Sequence, residues 1–131
     1  MNRMFSPSYG RSVLSHLEKV QQLPLDVQAD IVRRVDNYIK IARAAKSEAV
    51  LARLASVAME EQAKAIGQGV NSQMDPRWAG PALAEAWCYA MIGLFNGNLD
   101  RSSAGAIIGP IEAFTQSGPR LEALNLFLLK N

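Results

Sequence analysis

The sequence predicts an all-α fold, a compact bundle of five to six helices with a buried central apolar helix. Apolar residues recur with a period near 3.6 along most of the chain, and no window alternates apolar and polar residues long enough for a β-strand. A composition of 49% hydrophobic and 20% charged residues over 131 residues is ordinary for one globular domain. We therefore expect a single helical domain over residues 1–131, with residues 1–10 as a flexible N-terminal segment.

Two helices are predicted in the first third of the chain. The first covers Ser12 to Gln22 and is broken by Leu23-Pro24. Pro24 suits the start of the second helix, because the N–H that proline lacks has no partner in a first helical turn. This second helix is predicted to run to about Ala45. It carries the most regular apolar stripe of the chain, formed by Val27, Ile31, Val35, Tyr38 and Ala42.

Residues 25–66 contain neither glycine nor proline and could form one helix of 42 residues. However, the apolar stripes of the two halves point about 150° apart when each residue turns the helix by 100°. Ser47 can cap a new helix that has Glu48 in its first turn, which favours a helical hairpin. The alternative is a single long helix whose two apolar sides are covered by different neighbours, including another subunit.

The central helix is predicted from Pro81 to Phe95, after a loop over residues 67–80 and before an Asn96-Gly97 stop. Residues 81–97 contain one charge, so this helix is apolar on nearly every side and belongs in the core. A fifth helix is expected from about Asp100 to Gly118. Gly109-Pro110 should kink it or divide it into two short pieces, since proline removes a backbone hydrogen bond.

The expected last helix, Arg120 to Lys130, has more large apolar side chains than one neighbour can bury. These side chains point in several directions on the helix, so a surface position would leave some of them exposed to water. We therefore predict an interaction surface there, combined with the exposed edge of the second helix. Its residues are Leu121, Leu124, Leu126, Phe127 and Leu129.

A ligand pocket near Trp78, Glu85 and Tyr89 is a further hypothesis from the sequence. Two aromatic side chains and one carboxylate could line a cavity, although aromatic residues at helical spacing are more often part of a core. A carboxylate on the most apolar helix should be paired, protonated or at a rim. We expect Arg77 or Arg101 to be its partner.

No set of residues predicts catalysis, a metal ion or a cofactor. His16 and Cys88 are the only histidine and the only cysteine, and a thiol in so apolar a helix is usually inert. Tetrahedral zinc would lack ligands. Residues 96–107 begin like a calcium loop but carry Arg101 where glycine is needed and Ile107 where glutamate is needed. We therefore predict a protein that is not an enzyme.

The N-terminal part of the chain is mildly basic. Residues 1–53 have nine Lys/Arg and five Asp/Glu, whereas the remainder has five and seven. A basic patch is predicted at Arg33, Arg34, Lys40 and Arg43. Asp30 and Asp36 precede the first three of these by three or four residues, the spacing of intrahelical ion pairs. Nucleic-acid binding is therefore less favoured than a protein partner.

The sequence most favours a small non-enzymatic protein–protein interaction or regulatory module that self-associates through apolar helical surface. The alternatives are a nucleic-acid-associated helical protein that uses the basic half, and a protein that binds a small apolar ligand. No segment is long and apolar enough to span a membrane, and residues 1–10 lack the apolar run of a secretory signal. Together with a single cysteine, these observations predict a cytoplasmic protein.

Overall fold

The structure is a computed structural model that describes residues 7–116, and these residues form five α-helices and no β-strand. The helices, α1 to α5 in chain order, are Pro7–Val20, Leu25–Ala45, Glu48–Gly67, Pro76–Phe95 and Arg101–Gln116. The all-α prediction is confirmed over this range, and five helices agree with the expected five to six. The last predicted helix lies outside the described residues, as do residues 1–6.

The chain breaks between α2 and α3 where the sequence predicted a hairpin. Lys46 adopts a left-handed conformation with φ of 50°, and its N–H bonds to the carbonyl of Ala42. The Ser47 hydroxyl then caps α3 by accepting the N–H of Val50 at 3.4 Å. The alternative of one continuous helix over residues 25–66 is therefore wrong.

α1 differs from its prediction at both ends. It begins at Pro7, five residues before the expected Ser12, so residues 7–10 of the expected N-terminal segment are helical. Proline is favoured at the first helical position, because its fixed φ suits a helix and its missing N–H needs no partner there. The helix ends at Val20, and residues 21–24 form the turn into α2.

Prolines also account for the differences in α4 and α5. α4 begins at Pro76 rather than Pro81, because the Asp75 carboxylate caps it by accepting a backbone N–H at 3.0 Å. Pro81 is buried within this helix, where its ring packs in the core. Of the two outcomes expected at Gly109-Pro110, a kink or a division, the division is wrong, since α5 continues through Pro110 as one helix. A proline removes one hydrogen bond, and the apolar face of α5 stays buried on both sides of it.

α4 is the central helix of the bundle. It packs most extensively against α3, next against α2, and also against α5, whereas α2 and α3 share few contacts with each other. Leu83, Ala86 and Trp87 are each 1% exposed. Glycine allows close approach at Gly80, where a Cβ atom would lie 2.7 Å from the Cβ of Arg34. The predicted buried apolar helix is therefore found, five residues longer than expected.

The indole of Trp87 is tied to two other helices through a single carboxylate. Its Nε1–H donates to Oε2 of Glu112 on α5 at 3.0 Å. The other oxygen of Glu112 lies 3.0 Å from Nη2 of Arg43 on α2. The polar atom of the largest buried side chain is thus satisfied, and the carboxylate that satisfies it has a cationic partner.

We expect Ala86→Leu to lower the free energy of unfolding by about 1–3 kcal/mol, because three extra carbons must enter a packed core. Urea denaturation followed by circular dichroism measures the change. Ala106→Leu is the matched control, since Ala106 is exposed on α5 and should tolerate the same enlargement. Equal free energies of unfolding for Ala86→Leu and the unsubstituted protein would contradict the tight packing of α4.

Candidate functional site

Within residues 7–116, no helix combines the length and apolarity needed to cross a lipid bilayer. The same part of the chain has no cluster of three or more His, Cys, Asp or Glu residues placed to hold a metal ion. Charged surface, exposed apolar surface and clefts are the other features of this part of the chain that could form a site.

The four residues of the predicted basic patch all form ion pairs. Arg33 and Arg34 lie 3.7 Å and 3.1 Å from the same carboxylate oxygen of Asp30. Lys40 lies 2.8 Å from Asp36, so all three predicted intrahelical pairs are confirmed. Arg43 pairs instead with Glu112 of α5. The positive charge of the patch is therefore largely compensated by neighbouring carboxylates.

The predicted interaction surface at residues 121–129 lies outside the described residues. Within them, the large exposed apolar side chains are Ile41, Met59, Ile66, Leu94 and Phe95. Met59 and Ile66 belong to a row of exposed residues along α3 that are spaced alternately by three and four. We call this row the α3 surface, and its members are Ala49, Ala52, Ser56, Met59, Ala63 and Ile66.

Tyr89 lies at the border of the α3 surface. Its hydroxyl donates to Sδ of Met59 at 3.5 Å. Glu85, four residues before Tyr89 on α4, contacts Gln62, which comes three residues after Met59 on α3. The contacts thus advance in opposite directions along the chain, so the two helices run antiparallel. Tyr89 therefore extends the apolar character of the α3 surface onto α4.

A cleft of about 300 Å³ lies between α1, α3 and α4. Trp78 and Glu85, two of the three residues of the predicted pocket, line it, whereas Tyr89 is not among its lining residues. The structure adds Tyr9 and His16 from α1 and Gln62 from α3. The described residues that line the cleft are Tyr9, Ser12, Val13, Ser15, His16, Lys19, Gln62, Gln73, Trp78, Ala82, Leu83 and Glu85. The cleft is of mixed polarity rather than purely apolar.

Glu85 has a neutral partner in place of the arginine that we expected. Oε1 of Glu85 accepts a hydrogen bond from Nε2 of Gln62 at 2.8 Å. Arg77 pairs instead with Asp75, 3.1 Å away and two residues earlier in the chain. Burial raises the pKa of the Glu85 carboxyl above its usual range, and the bond from Gln62 partly offsets this rise.

His16 joins α1 to the loop that precedes α4. Its Nε2–H donates to the carbonyl of Gln73 at 2.7 Å. Its ring meets Trp78 in an edge-to-face arrangement, with ring centres 5.5 Å apart. Burial lowers the pKa of His16, and the charge of Lys19 acts in the same direction, against the bond to Gln73. The imidazole is therefore neutral at pH 7.

Cys88 does not form a nucleophilic pair with His16. It is fully buried on α4 and is not among the residues that line the cleft where His16 lies. Burial, helped by the charge of Glu85, raises the pKa of the thiol to about 12. A thiol with so high a pKa forms very little thiolate at neutral pH, and the thiolate is the reactive form.

Sequence reasoning placed Trp78 and Glu85 near one another but missed His16 and Gln62. A signal for Gln62 was present, because it follows Ala58 by four residues on the buried side of α3. A glutamine on that side needs a polar partner, as does a glutamate on the central helix. His16 gave no such signal, since only the packing of α1 brings it to the cleft.

Comparison with protein-family models, with curated proteins and with solved structures gives no match to this chain.

We expect His16 to titrate with a pKa below its usual value of about 6.5, because burial disfavours the charged ring. The folded state then binds fewer protons than the unfolded state as the pH falls. The stability that neutral His16 contributes is therefore present above about pH 6.5 and lost below it. Two-dimensional NMR of the single imidazole, in native protein and in urea, measures both pKa values. A native value at or above the value in urea would contradict the burial of this ring.

Proposed function

We propose that the protein is a small non-enzymatic interaction module that self-associates through the α3 surface. The observation that carries this proposal is the exposure of Met59 and Ile66, at 50% and 60%, on a helix whose other side packs against α4. Scattered exposed apolar residues are normal, but a row of them along one helix is typical of a surface that meets a partner. The residues predicted at positions 121–129 remain a second candidate surface.

The spacing of the α3 surface suits a second copy of the same helix. Alternate steps of three and four residues are those of the a and d positions in paired helices. In an antiparallel pair about a two-fold axis, Ala49 would face Ile66 of the partner subunit, and Ser56 would face Met59 of the partner subunit. Each large side chain would then meet a small one. Ala52 would face Ala63 of the partner subunit, and two small side chains there would let the helices approach closely.

Charges beside the α3 surface favour the same arrangement. Arg53 directly follows Ala52, and Glu60 directly follows Met59, both members of the α3 surface. Arg53 and Glu60 are exposed and form no ion pair among the described residues. In the antiparallel pair, Arg53 would lie next to Glu60 of the partner subunit, and the two-fold axis would repeat this contact. Two intermolecular ion pairs would therefore flank the apolar row.

We expect native mass spectrometry at two protein concentrations to show a dimer whose fraction rises with concentration. Ile66→Glu should give a monomer at both concentrations, because it places a charge in the apolar row. Phe95→Glu is the matched control, since Phe95 is 53% exposed at the end of α4 and lies off the α3 surface. Unsubstituted protein that is monomeric at both concentrations, or equal loss of dimer in both variants, would overturn the proposal.

A charge exchange tests the antiparallel register. We expect Arg53→Glu and Glu60→Arg each to weaken the dimer by about tenfold, because each turns two attractive contacts into two repulsive ones. The double variant should restore the dissociation constant, which analytical ultracentrifugation measures. A double variant no tighter than either single variant would contradict the register, while the Ile66→Glu result would still report on the surface.

A further inference from the structure

We propose that the cleft between α1, α3 and α4 binds a small organic cation, a primary ammonium with an apolar body. Glu85 would accept the ammonium, and Trp78 would pack against the apolar body. This site is separate from the α3 surface, and the proposal does not rest on self-association.

The bonding of Glu85 leaves one oxygen available to a ligand. Gln62 donates to Oε1 at 2.8 Å and to the carbonyl of Ala58 at 3.1 Å, so its amide is held in place. Oε2 has no hydrogen-bond partner among the described residues, and no Lys or Arg in that part of the chain forms an ion pair with Glu85. An oriented carboxylate with a free oxygen is a good acceptor for a charged N–H donor.

Among the described residues that line the cleft, Glu85 is the one acidic side chain. Burial and the charge of Glu85 raise the pKa of the Tyr9 hydroxyl from α1. Tyr89 and Cys88, from α4 itself, also have raised pKa values, mainly through burial. All three are therefore uncharged at pH 7, and Gln62 from α3 is neutral. One unpaired negative charge favours a ligand with one positive charge.

The length of the cleft sets the shape of the ligand. Glu85 and Trp78 are seven residues apart on α4, which corresponds to about 10 Å. Lys19, three residues beyond His16 on α1, lies at the Trp78 end and would repel a second positive charge. The ligand therefore carries its charge at the Glu85 end and an apolar or aromatic body at the Trp78 end. A volume of about 300 Å³ suits a small molecule of this kind.

The experiment compares three probes of one shape. 2-Phenylethylammonium is titrated into the protein at about pH 8, beside neutral 2-phenylethanol and anionic phenylacetate, and two-dimensional NMR records the indole N–H and imidazole signals. We expect the cation alone to shift the signals of Trp78 and His16, with binding in the millimolar range. The buried indole of Trp87, bonded to Glu112, should not move and serves as an internal control.

Two variants then test the role of Glu85. Glu85→Gln keeps the shape of the side chain and should weaken binding of the cation about 10- to 100-fold. Glu18→Gln removes the same charge from an exposed position on α1 that does not line the cleft, and should leave binding unchanged. Equal shifts for all three probes, no shift with the cation, or equal losses in the two variants would overturn the proposal. Repeating the titration in Ile66→Glu separates this result from self-association.

Discussion

The hydrogen bond from the Trp87 indole to Glu112 is the interaction around which the bundle is arranged. The largest side chain of the central helix is 1% exposed, and its N–H would lose a hydrogen bond with water if no partner were present. Glu112 supplies that partner, and Arg43 supplies the opposite charge that a partly buried carboxylate requires. One residue from each of α4, α5 and α2 therefore meets at a single point, which links these three helices beside the core.

The position of α4 has a consequence for α3. Because α4 packs against both α2 and α3, the two helices that are neighbours in sequence share few contacts. α3 is therefore packed mainly on one side, through its buried row that includes Leu51, Leu54 and Ala58. The α3 surface lies beside this buried row, and Met59 at its border contacts Tyr89 of α4. Because α4 covers only part of α3, the exposed part of α3 carries a row of apolar residues beside its charged ones.

Local chemistry made much of the fold predictable from the sequence. Ser47 caps α3, and Gly97, with φ of 79°, lies in the stop after α4; both effects depend on neighbouring residues in the chain. The intrahelical ion pairs of α2 were predictable for the same reason. Tertiary packing outweighs a local rule at Pro110, where the helix is not divided and buried residues lie on either side of the proline. The cleft depends on how α1 packs against α3 and α4, and this packing could not be predicted from local sequence patterns.

The cleft itself follows from the kinds of side chain that α1 contributes. Its buried residues Val13, Leu17 and Val20 attach it to the core. Toward α4, however, it contributes short polar side chains from Ser12 and Ser15, which line the cleft without filling it. A large apolar residue at either position would fill that space and cover Glu85. Beside the larger Tyr9 and His16, these short side chains therefore leave an open cleft next to the half-buried carboxylate of Glu85.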